Sequence, residues 1–310
     1  SSSTNFFAMY DNSIAEIGLH DNDKVVGPLD SRSVIGSLFD NIRAYSMGIN
    51  IVKNGITLKI NAKNETFNPL YSYIYHNNDL QHNFINTQIA FDIRYQHNQK
   101  FIMILANNLK SSLGGPEFYI SLAKGFKNIF NSHFDFIKLR TSVSHNFYTQ
   151  NIGTTRYSLH GGYINKPLPL GLLFEGRGSY DRSLPFVISN YFQTSRPYEF
   201  MHDRYVFLFL KHTFDHLFAK SKFSPLISFH CNMGTGQLSD QSFHNLVNIK
   251  TMTQPFIEPG LEMNRIVKLN YLNMMYAGLG FGFFTRVGYH AHTDFKENLF
   301  FKITASFHTR

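Results

Sequence analysis

The last stretch of the chain, NLFFKITASFHTR (298–310), carries the pattern that decides the fold. Every second residue in it is apolar, namely Leu299, Phe301, Ile303, Ala305 and Phe307. The residues between them are polar, with Phe300 as the exception. A period of two indicates a β-strand with one apolar and one polar face. In a soluble sandwich the apolar face is buried in a core, whereas in a membrane barrel it faces lipid and the polar face lines the lumen.

The same alternation recurs along the chain. It is found in the stretches 43–52, 55–63, 87–96, 134–147, 172–180 and 275–283. Several of these runs reach roughly 9 to 14 residues, which exceeds the usual globular strand and suits a tilted strand that crosses a bilayer. Lysine, arginine, aspartate and glutamate occur together on the polar faces. This mixture favours a wet lumen with internal ion pairs over a sandwich.

The composition fits a membrane barrel, although it does not exclude an aromatic-rich soluble all-β protein. The 310 residues include 32 Phe and 17 Tyr but no Trp, and only 16% are charged. A soluble domain carries about 25% charged residues. The mean hydropathy is −0.21, and no apolar run is long enough for a membrane helix. Alternating strands average to such an unremarkable hydropathy.

The connections between the predicted strands alternate between short and long. Linkers rich in Asn, His, Ser and Gly occupy 75–83, 106–116 and 238–248. This spacing fits a barrel with tight turns at one rim and longer loops at the other. The stretch SRSVIGSLFDN (31–41) predicts one short helix, with Ser31 or Ser33 as its N-cap. The predicted fold is therefore all-β: a single domain over 1–310 that forms an antiparallel transmembrane β-barrel of about 12 to 14 strands.

A pair of carboxylates marks the first candidate site. Glu258 and Glu262 fall on the polar face of one predicted strand. On a lumen face they must be solvated or paired, because unpaired charge away from water is costly. Upstream, a polar loop within 190–214 carries Arg196 and Arg204. We expect Arg196 or Arg204 to fold inward and pair with Glu258 or Glu262; the alternative is that both sets face water in a wide lumen.

The stretch GLGFGFF (278–284) has a superficial likeness to a glycine-rich nucleotide loop. It lacks the helix and the βαβ context that such a loop requires. Alternating glycines instead predict a strand whose lumen face is bare, which leaves room for something packed against it.

Other chemistry finds little support in the residues. The single Cys231 excludes an intramolecular disulfide framework. The fifteen histidines show no zinc-binding spacing, and no GxSxG elbow is present. We therefore expect no catalytic residues, no metal site, no cofactor and no enzymatic activity. The net charge of +8 is scattered without a run of five basic residues, and we interpret it as lumen and loop decoration, with no nucleic-acid partner.

Five stretches occur in a distinctive order along the chain. They are SLFDN (37–41), NGITLKINAKNETFNPLYSY (54–73), PEFYISLAKGF (116–126), FQTSRPYEFMHDRYVFLFLKHTF (192–214) and PFIEPGLEMNRI (255–266). This order resembles the C-terminal barrel of a Bacteroidota outer-membrane family of unknown function, normally fused to an N-terminal carboxypeptidase-regulatory-like domain. The resemblance covers about residues 25 to 310. The regulatory-like domain is absent, which implies the C-terminal part of a longer barrel or an unusually short member.

The loop 195–200 also resembles the inward-folded loop of outer-membrane assembly barrels. Those loops carry an Arg-Gly-aromatic motif, whereas Pro197 follows Arg196 here. The opening residues have neither a basic start nor an apolar stretch, so we expect no signal peptide in this chain.

The family resemblance implies a bacterial outer-membrane location and supplies no reaction. We expect a non-enzymatic structural or accessory component of an envelope complex, in protein assembly, surface export or anchoring. The last strand would carry the assembly signal through Phe301, Ile303 and Phe307. The expected partners are outer-membrane lipid or lipopolysaccharide, the outer-membrane assembly machinery and other envelope proteins. The alternatives are a passive pore for small solutes, a soluble secreted all-β surface-binding protein and an outer-membrane lipid enzyme.

Overall fold

A computed structural model of the chain describes residues 2–18, 36–76, 83–96, 101–104, 107–110, 115–181, 185–215, 225–271 and 275–309. The strands in these residues are β1 (Ser2–Glu16), β2 (Phe39–Lys53), β3 (Ile56–Pro69), β4 (Ile74–Tyr75), β5 (Phe84–Gln96), β6 (Phe101–Ile104), β7 (Asn107–Lys110), β8 (Glu117–Gly125), β9 (Phe136–Thr149), β10 (Gly153–Ile164), β11 (Phe174–Glu175), β12 (Met201–His202), β13 (Arg204–Phe214), β14 (Leu226–Gln237), β15 (His244–Asn245), β16 (Met252–Tyr271), β17 (Met275–Thr285) and β18 (Leu299–Thr309).

Twelve of the described strands form one antiparallel sheet. Their order is β1-β2-β3-β5-β8-β9-β10-β13-β14-β16-β17-β18. Neighbours in the sheet follow one another along the chain, apart from short strands that pair outside it as β11-β12, β15-β4 and β6-β7. The all-β, antiparallel prediction is confirmed, and the strand number falls in the predicted range. The sheet is open in this structure, with β1 and β18 at its two ends.

Helical structure in the described part of the chain is limited to short 3₁₀ turns. These are Ile129–Asn131, Leu170–Leu172, Gln241–Phe243, Gly288–His290 and Phe295–Asn298. None of the helices among the described residues has the length and apolar character needed to cross a membrane.

The predicted helix over 31–41 is wrong in its described part. Residues 36–38 have no regular structure and Phe39 begins β2. The reason lies in the neighbouring strand, because Phe39 and Asp40 continue the β2 ladder opposite Glu16 and Ala15 of β1. Residues 31–35, which include the proposed caps Ser31 and Ser33, lie outside the described residues.

The alternating stretch 172–180 also differs from the prediction of a long strand. Only Phe174–Glu175 are extended, as the two-residue β11. At Gly176 and Gly178 the chain then packs closely against Phe200 and the backbone of Arg196. A Cβ at Gly178 would lie 2.0 Å from the carbonyl oxygen of Arg196, so no side chain fits there. Local alternation in this stretch reflects packing inside the protein rather than membership of the sheet.

In β16 and β18 the apolar face of the large sheet is exposed and the polar face is covered. In β18, Phe301 is 56% exposed, whereas Lys302 is 1% exposed. In β16, Leu261 is 50% exposed and Glu258 is fully buried. This arrangement answers the question posed by the alternating C-terminal strand: the apolar residues point outward, and the charged residues point toward the interior of the molecule.

The connections divide unequally between the two rims. One rim carries the connections 70–83, 126–135, 165–203, 238–251 and 286–298. The other carries the tight connections 54–55 and 150–152. The longer connection 97–116, which contains the hairpin β6-β7, also lies at this second rim. The predicted division into a rim of long connections and a rim of tight turns is therefore present, except that the long connection 97–116 lies at the rim of the tight turns.

Candidate functional site

The connection between β10 and β13, residues 165–203, folds back over the inner face of the sheet; we call it the inserted segment. It reaches strands from both ends of the sheet order. The Tyr198 hydroxyl donates to Glu16 of β1, and the Lys302 ammonium of β18 donates to the Ser179 carbonyl at 2.8 Å. Between these ends, the Lys138 ammonium of β9 donates to the Leu172 carbonyl at 2.6 Å. The polar face of the sheet therefore curves around this segment.

Aromatic side chains form the dry contact between the inserted segment and the sheet. Phe192 packs against Phe207 and Phe256, with ring centroids 5.5 and 4.9 Å apart. Phe200 lies 5.7 Å from Phe256. These four rings are almost completely buried. Burying such large side chains supplies most of the free energy that holds the segment in place.

A carboxylate organises the turn inside the inserted segment. Glu175 accepts hydrogen bonds from the backbone N–H groups of Arg177, Gly178 and Tyr198, at 2.7, 3.2 and 3.2 Å. Arg177 and Tyr198 both adopt positive φ, at 52° and 58°. Backbone strain of this kind persists only where surrounding contacts fix it. The buried Glu175 therefore holds the segment in one conformation.

Glu258 of β16 anchors the inserted segment to the sheet. It is fully buried, and it accepts from the backbone N–H groups of Gln193 and Thr194 at 3.0 and 2.7 Å. The Thr194 hydroxyl and the Asn232 side-chain amide donate to it at 2.7 Å each. Four hydrogen bonds thus compensate for the loss of water around this carboxylate.

Lys302 of β18 forms a second anchor. Its ammonium donates to the Ser179 carbonyl at 2.8 Å, to the Ser179 hydroxyl at 3.2 Å and to the Phe186 carbonyl at 3.3 Å. An ammonium has three donors, and all three are directed at the inserted segment. The last strand of the sheet is therefore tied to both described parts of the segment, 165–181 and 185–203.

A bidentate ion pair forms a third anchor near the rim. The Arg286 guanidinium donates to the two carboxylate oxygens of Glu199 at 3.1 and 3.0 Å and to the Thr194 carbonyl at 2.6 Å. Lys250 adds a contact to Glu199 at 3.3 Å. Burial raises the pKa of Glu199, but the hydrogen bonds and charge of Arg286 outweigh it and lower the pKa to about 2. Glu199 is therefore ionised at neutral pH.

The predicted arginine–glutamate pairs are replaced by other partners. Arg196 is exposed, and its backbone N–H donates to Glu199 at 3.2 Å. Arg204 pairs with Asp203 at 3.0 Å and donates to the Ser239 hydroxyl at 2.8 Å. The loop does fold inward onto Glu258, as the prediction required, but backbone amides provide the contact. Amides carry no charge, so a search for opposite charges could not find them.

Glu262 also has partners that differ from the predicted ones. It accepts from the Lys211 ammonium at 2.8 Å and from the His230 ring at 2.7 Å. All three residues lie on the inner face of neighbouring strands. Because β13 and β14 are adjacent, Lys211 stands directly opposite His230 in the ladder. Glu262 is thus satisfied by the sheet itself rather than by the inserted segment.

Glycines occupy the inner face of 278–282 as predicted, but the Phe284 ring shares that face. A Cβ at Gly282 would lie 2.8 Å from the Phe284 ring and 3.4 Å from a methyl carbon of Val187 in the inserted segment. The small residue therefore makes room for Phe284, and the segment lies in ordinary van der Waals contact beside it. Of the proposed assembly-signal residues, Phe301 is exposed on the outer face and Ile303 is half-buried. The side chain of Phe307 lies outside the described residues.

Sequence reasoning identified Glu258 but missed the other residues that hold the inserted segment. The missed residues are Glu175, Gln193, Thr194, Glu199, Arg286 and Lys302. Lys302 had a usable signal, because alternation placed it on the polar face of β18. Glu175 and Arg286 had none, since their roles depend on long-range packing.

The inserted segment borders two cavities. The first, of about 730 Å³, is lined by the inner faces of β1, β2, β3, β5, β8 and β9. The second, of about 440 Å³, is lined by residues of β10, β13, β14, β16 and β18. Tyr191 lines both cavities. The segment therefore stands as a partition in the interior of the molecule.

Comparison with known proteins gives two findings. Residues 52–168, less than half of the chain, match a family described as "Family of unknown function (DUF5686) C-terminal domain". Among solved structures, the chain is similar to CdiB from Acinetobacter baumannii with 11% sequence identity and a TM-score of 0.41. That similarity covers 88% of this chain and 53% of CdiB, so this chain spans about half the length of that structure. No curated protein matches the chain at a significant level.

Proposed function

We propose that the chain forms a transmembrane β-barrel wall in a bacterial outer membrane and acts as a non-enzymatic structural or accessory component of an envelope complex. The supporting observation is the orientation of the sheet, whose apolar side chains are exposed over many strands. Examples with more than a third of their surface exposed are Ile60, Phe91, Ile120, Leu122, Leu159, Val206, Phe229, Leu261, Phe283 and Phe301. In water such a continuous apolar surface would promote aggregation, whereas lipid solvates it.

The open edges of the sheet fit this proposal only if they are covered. In hydrocarbon each unpaired backbone group costs several kcal/mol, so exposed sheet edges do not occur there. We propose that the edges of β1 and β18 pair with each other or with further strands of a longer protein.

The rims suggest an orientation in the membrane. Outer-membrane barrels have short periplasmic turns and longer extracellular loops. The rim with the inserted segment and the connections 70–83 and 238–251 would accordingly face the outside. The rim with the tight connection at 54–55 would face the periplasm.

The segment inserted in the interior supports an accessory role in assembly, export or anchoring over a passive pore. It contacts the inner face of the sheet at Glu258 and Lys302, and Arg286, just beyond the end of β17, adds a third anchor. We propose outer-membrane lipid or lipopolysaccharide as the partner of the apolar face. The assembly machinery would recognise the last strand through Phe301, Ile303 and Phe307, and other envelope proteins would bind at the rims.

The test is the electrophoretic migration of unheated and boiled protein after gentle extraction from membranes. A heat-modifiable band that appears only in detergent is the expected result, because closed barrels resist unfolding by cold detergent. Co-purifying bands then identify the envelope partners. A protein recovered without detergent and without a heat shift would overturn the membrane proposal in favour of a secreted all-β protein.

Conductance in planar bilayers separates the accessory role from the pore. The expected result is a closed wild-type protein and an open Glu258→Ala variant, because the substitution releases the inserted segment. A matched control is Leu261→Ala, which changes the opposite face of the same strand and should leave the protein closed. A wild-type protein that conducts small ions continuously would favour the passive pore.

A further inference from the structure

The second cavity has an excess of basic side chains. Its sheet wall presents Arg156, Lys211 and Arg265, while Glu262 is the single carboxylate among its described lining residues. The inserted segment closes the other side with residues 187–191. The first cavity is different, because the described residues that line it include five acidic and five basic side chains. Of these two cavities, the second is the one whose described lining residues carry an excess of positive charge.

The basic side chains occupy positions that oppose one another. Arg156 stands directly opposite Lys211 in the β10-β13 ladder, and Lys211 stands opposite His230 in the next ladder. Like charges at directly opposed positions destabilise a sheet. Glu262 accepts from both Lys211 and His230, and the Arg156 Nε–H donates to the neutral side chain of Asn146 at 2.9 Å. The single negative charge of Glu262 does not balance the charges of Arg156 and Lys211, so this row of opposed residues has a net positive charge.

A backbone irregularity brings Arg265 into the same cavity. The register between β16 and β17 shifts between Met263 and Val267, and Arg265 adopts a φ of 58°. Asn264 and Arg265 both line the cavity, and they lie within this irregular stretch. Bulges re-aim side chains, and a non-glycine residue at positive φ costs free energy. The fold thus accepts strain at the position where a further cation enters the cavity.

We propose that the second cavity binds an oxyanion of the phosphate class between Arg156 and Arg265. Planar guanidinium groups donate paired hydrogen bonds that match phosphate oxygens. A volume of about 440 Å³ accommodates a phosphate group together with a small organic substituent. The bound anion would neutralise the opposed cations and contact the inserted segment. This inference goes beyond the proposed function, since described strands and the inserted segment form the cavity whether or not the sheet closes in a membrane.

Equilibrium dialysis of radiolabelled inorganic phosphate against the purified full chain in detergent tests the proposal. The wild type should bind one phosphate per chain with saturation. Arg156→Gln should weaken binding by about tenfold or more, because a charge-assisted hydrogen bond is lost. Arg156 is largely exposed to the cavity, so the substitution leaves the buried contacts intact. The matched control Lys59→Gln removes a positive charge from the first cavity and should leave phosphate binding unchanged.

A second variant and a second ligand complete the test. Arg265→Gln should weaken binding as Arg156→Gln does, and it keeps the test decisive if one variant does not fold. Dihexanoyl phosphatidic acid distinguishes the two sources of a phosphate group. Displacement of inorganic phosphate by this lipid at lower concentration assigns the site to a lipid headgroup, whereas preference for inorganic phosphate assigns it to a free solute. Absence of saturable binding of either ligand, or binding unchanged in both arginine variants, overturns the proposal.

Discussion

The two sides of the interior are built from the same kind of strand but are filled differently. On the open side, formed by the inner faces of β1, β2, β3, β5 and β8, polar residues such as Lys59 and Asp92 line the first cavity. On the packed side, formed by β13, β14, β16, β17 and β18, the inner residues Glu258 and Lys302 are buried against the inserted segment. Alternation therefore specifies which face is polar, and it does not specify whether water or protein covers that face.

The largest expected effect is at Glu258 on the packed side. Glu258→Ala leaves three donors of the inserted segment and one of Asn232 without their acceptor, so the free energy of unfolding should fall by about 4 kcal/mol. The matched change on the open side is Asp92→Ala, which removes one hydrogen bond from Tyr119 and should cost about 1 kcal/mol. Urea unfolding in detergent, followed by heat-modifiability, measures both. Equal losses would remove the distinction between the two sides.

The next effect concerns the pH dependence of the Glu199–Arg286 pair. The pKa of Glu199 is lowered from 4.5 to about 2, so its contribution is complete above pH 4.5 and is lost as the pH falls toward 2. The difference corresponds to about 3 kcal/mol. We expect the inserted segment to become sensitive to pepsin over this pH range.

Glu199→Gln supplies the comparison for this pH effect, since the amide does not titrate. The variant should already be sensitive at pH 6 to a protease that is active near neutral pH, and its sensitivity to pepsin should change little between pH 4.5 and 2. An identical pH profile for the wild type and the variant would show that another group controls the segment.

A smaller effect is expected at Lys302. Lys302→Met keeps the volume of the side chain but leaves the Ser179 and Phe186 carbonyls without their donor, at a cost of about 2 kcal/mol. Lys59→Met is the control on the open side and should change stability by less than about 0.5 kcal/mol. Hydrogen exchange of the backbone amides at 186–188 provides a local measurement. Unchanged protection there in the Lys302 variant would contradict the anchoring role.

The smallest effect should come from the pair that the sequence suggested. Arg204 and Glu262 have separate partners, so the coupling free energy between Arg204→Gln and Glu262→Gln should lie below about 0.5 kcal/mol in a double-mutant cycle. The cycle of Lys211→Met with Glu262→Gln is the positive control and should give about 1 kcal/mol or more. A large coupling free energy between Arg204 and Glu262 would instead support the ion pair predicted from the sequence.

Features that depend on residues close together in the sequence were predicted correctly, whereas features that depend on distant residues were not. The faces of β16 and β18 were predicted correctly, because alternation is a local property and positions such as Leu261 and Lys302 reveal it. The extended character of 172–180 was wrong, since Phe174 alternates with polar neighbours while packing inside the molecule. The helix predicted at 31–41 failed over its described residues, 36–41, because pairing with β1 overrode local preference at Phe39 and Asp40.

The candidate site was less accessible to sequence reasoning. The acceptor Glu258 was identified, but its donors are backbone amides that any residue type provides. The row of Arg156 and Lys211 becomes visible only when β10 and β13 are known to be neighbours, and 39 residues of the inserted segment separate these strands along the chain. Register is a tertiary property, so no local pattern contained this information.

The inserted segment also covers part of the edge of β18. The Ile303 N–H donates to the Pro185 carbonyl at 2.5 Å, and the Ile303 carbonyl accepts from the Val187 N–H at 2.9 Å. A strand that pairs along the whole of β18 must displace this short cover. Residues 185–187 compete with an incoming strand for the backbone groups of Ile303. Because they belong to the same chain, their effective concentration does not depend on the amount of protein. Strand addition at this edge would then proceed in two steps. The incoming strand would pair with the uncovered positions of β18 first and would displace residues 185–187 afterwards.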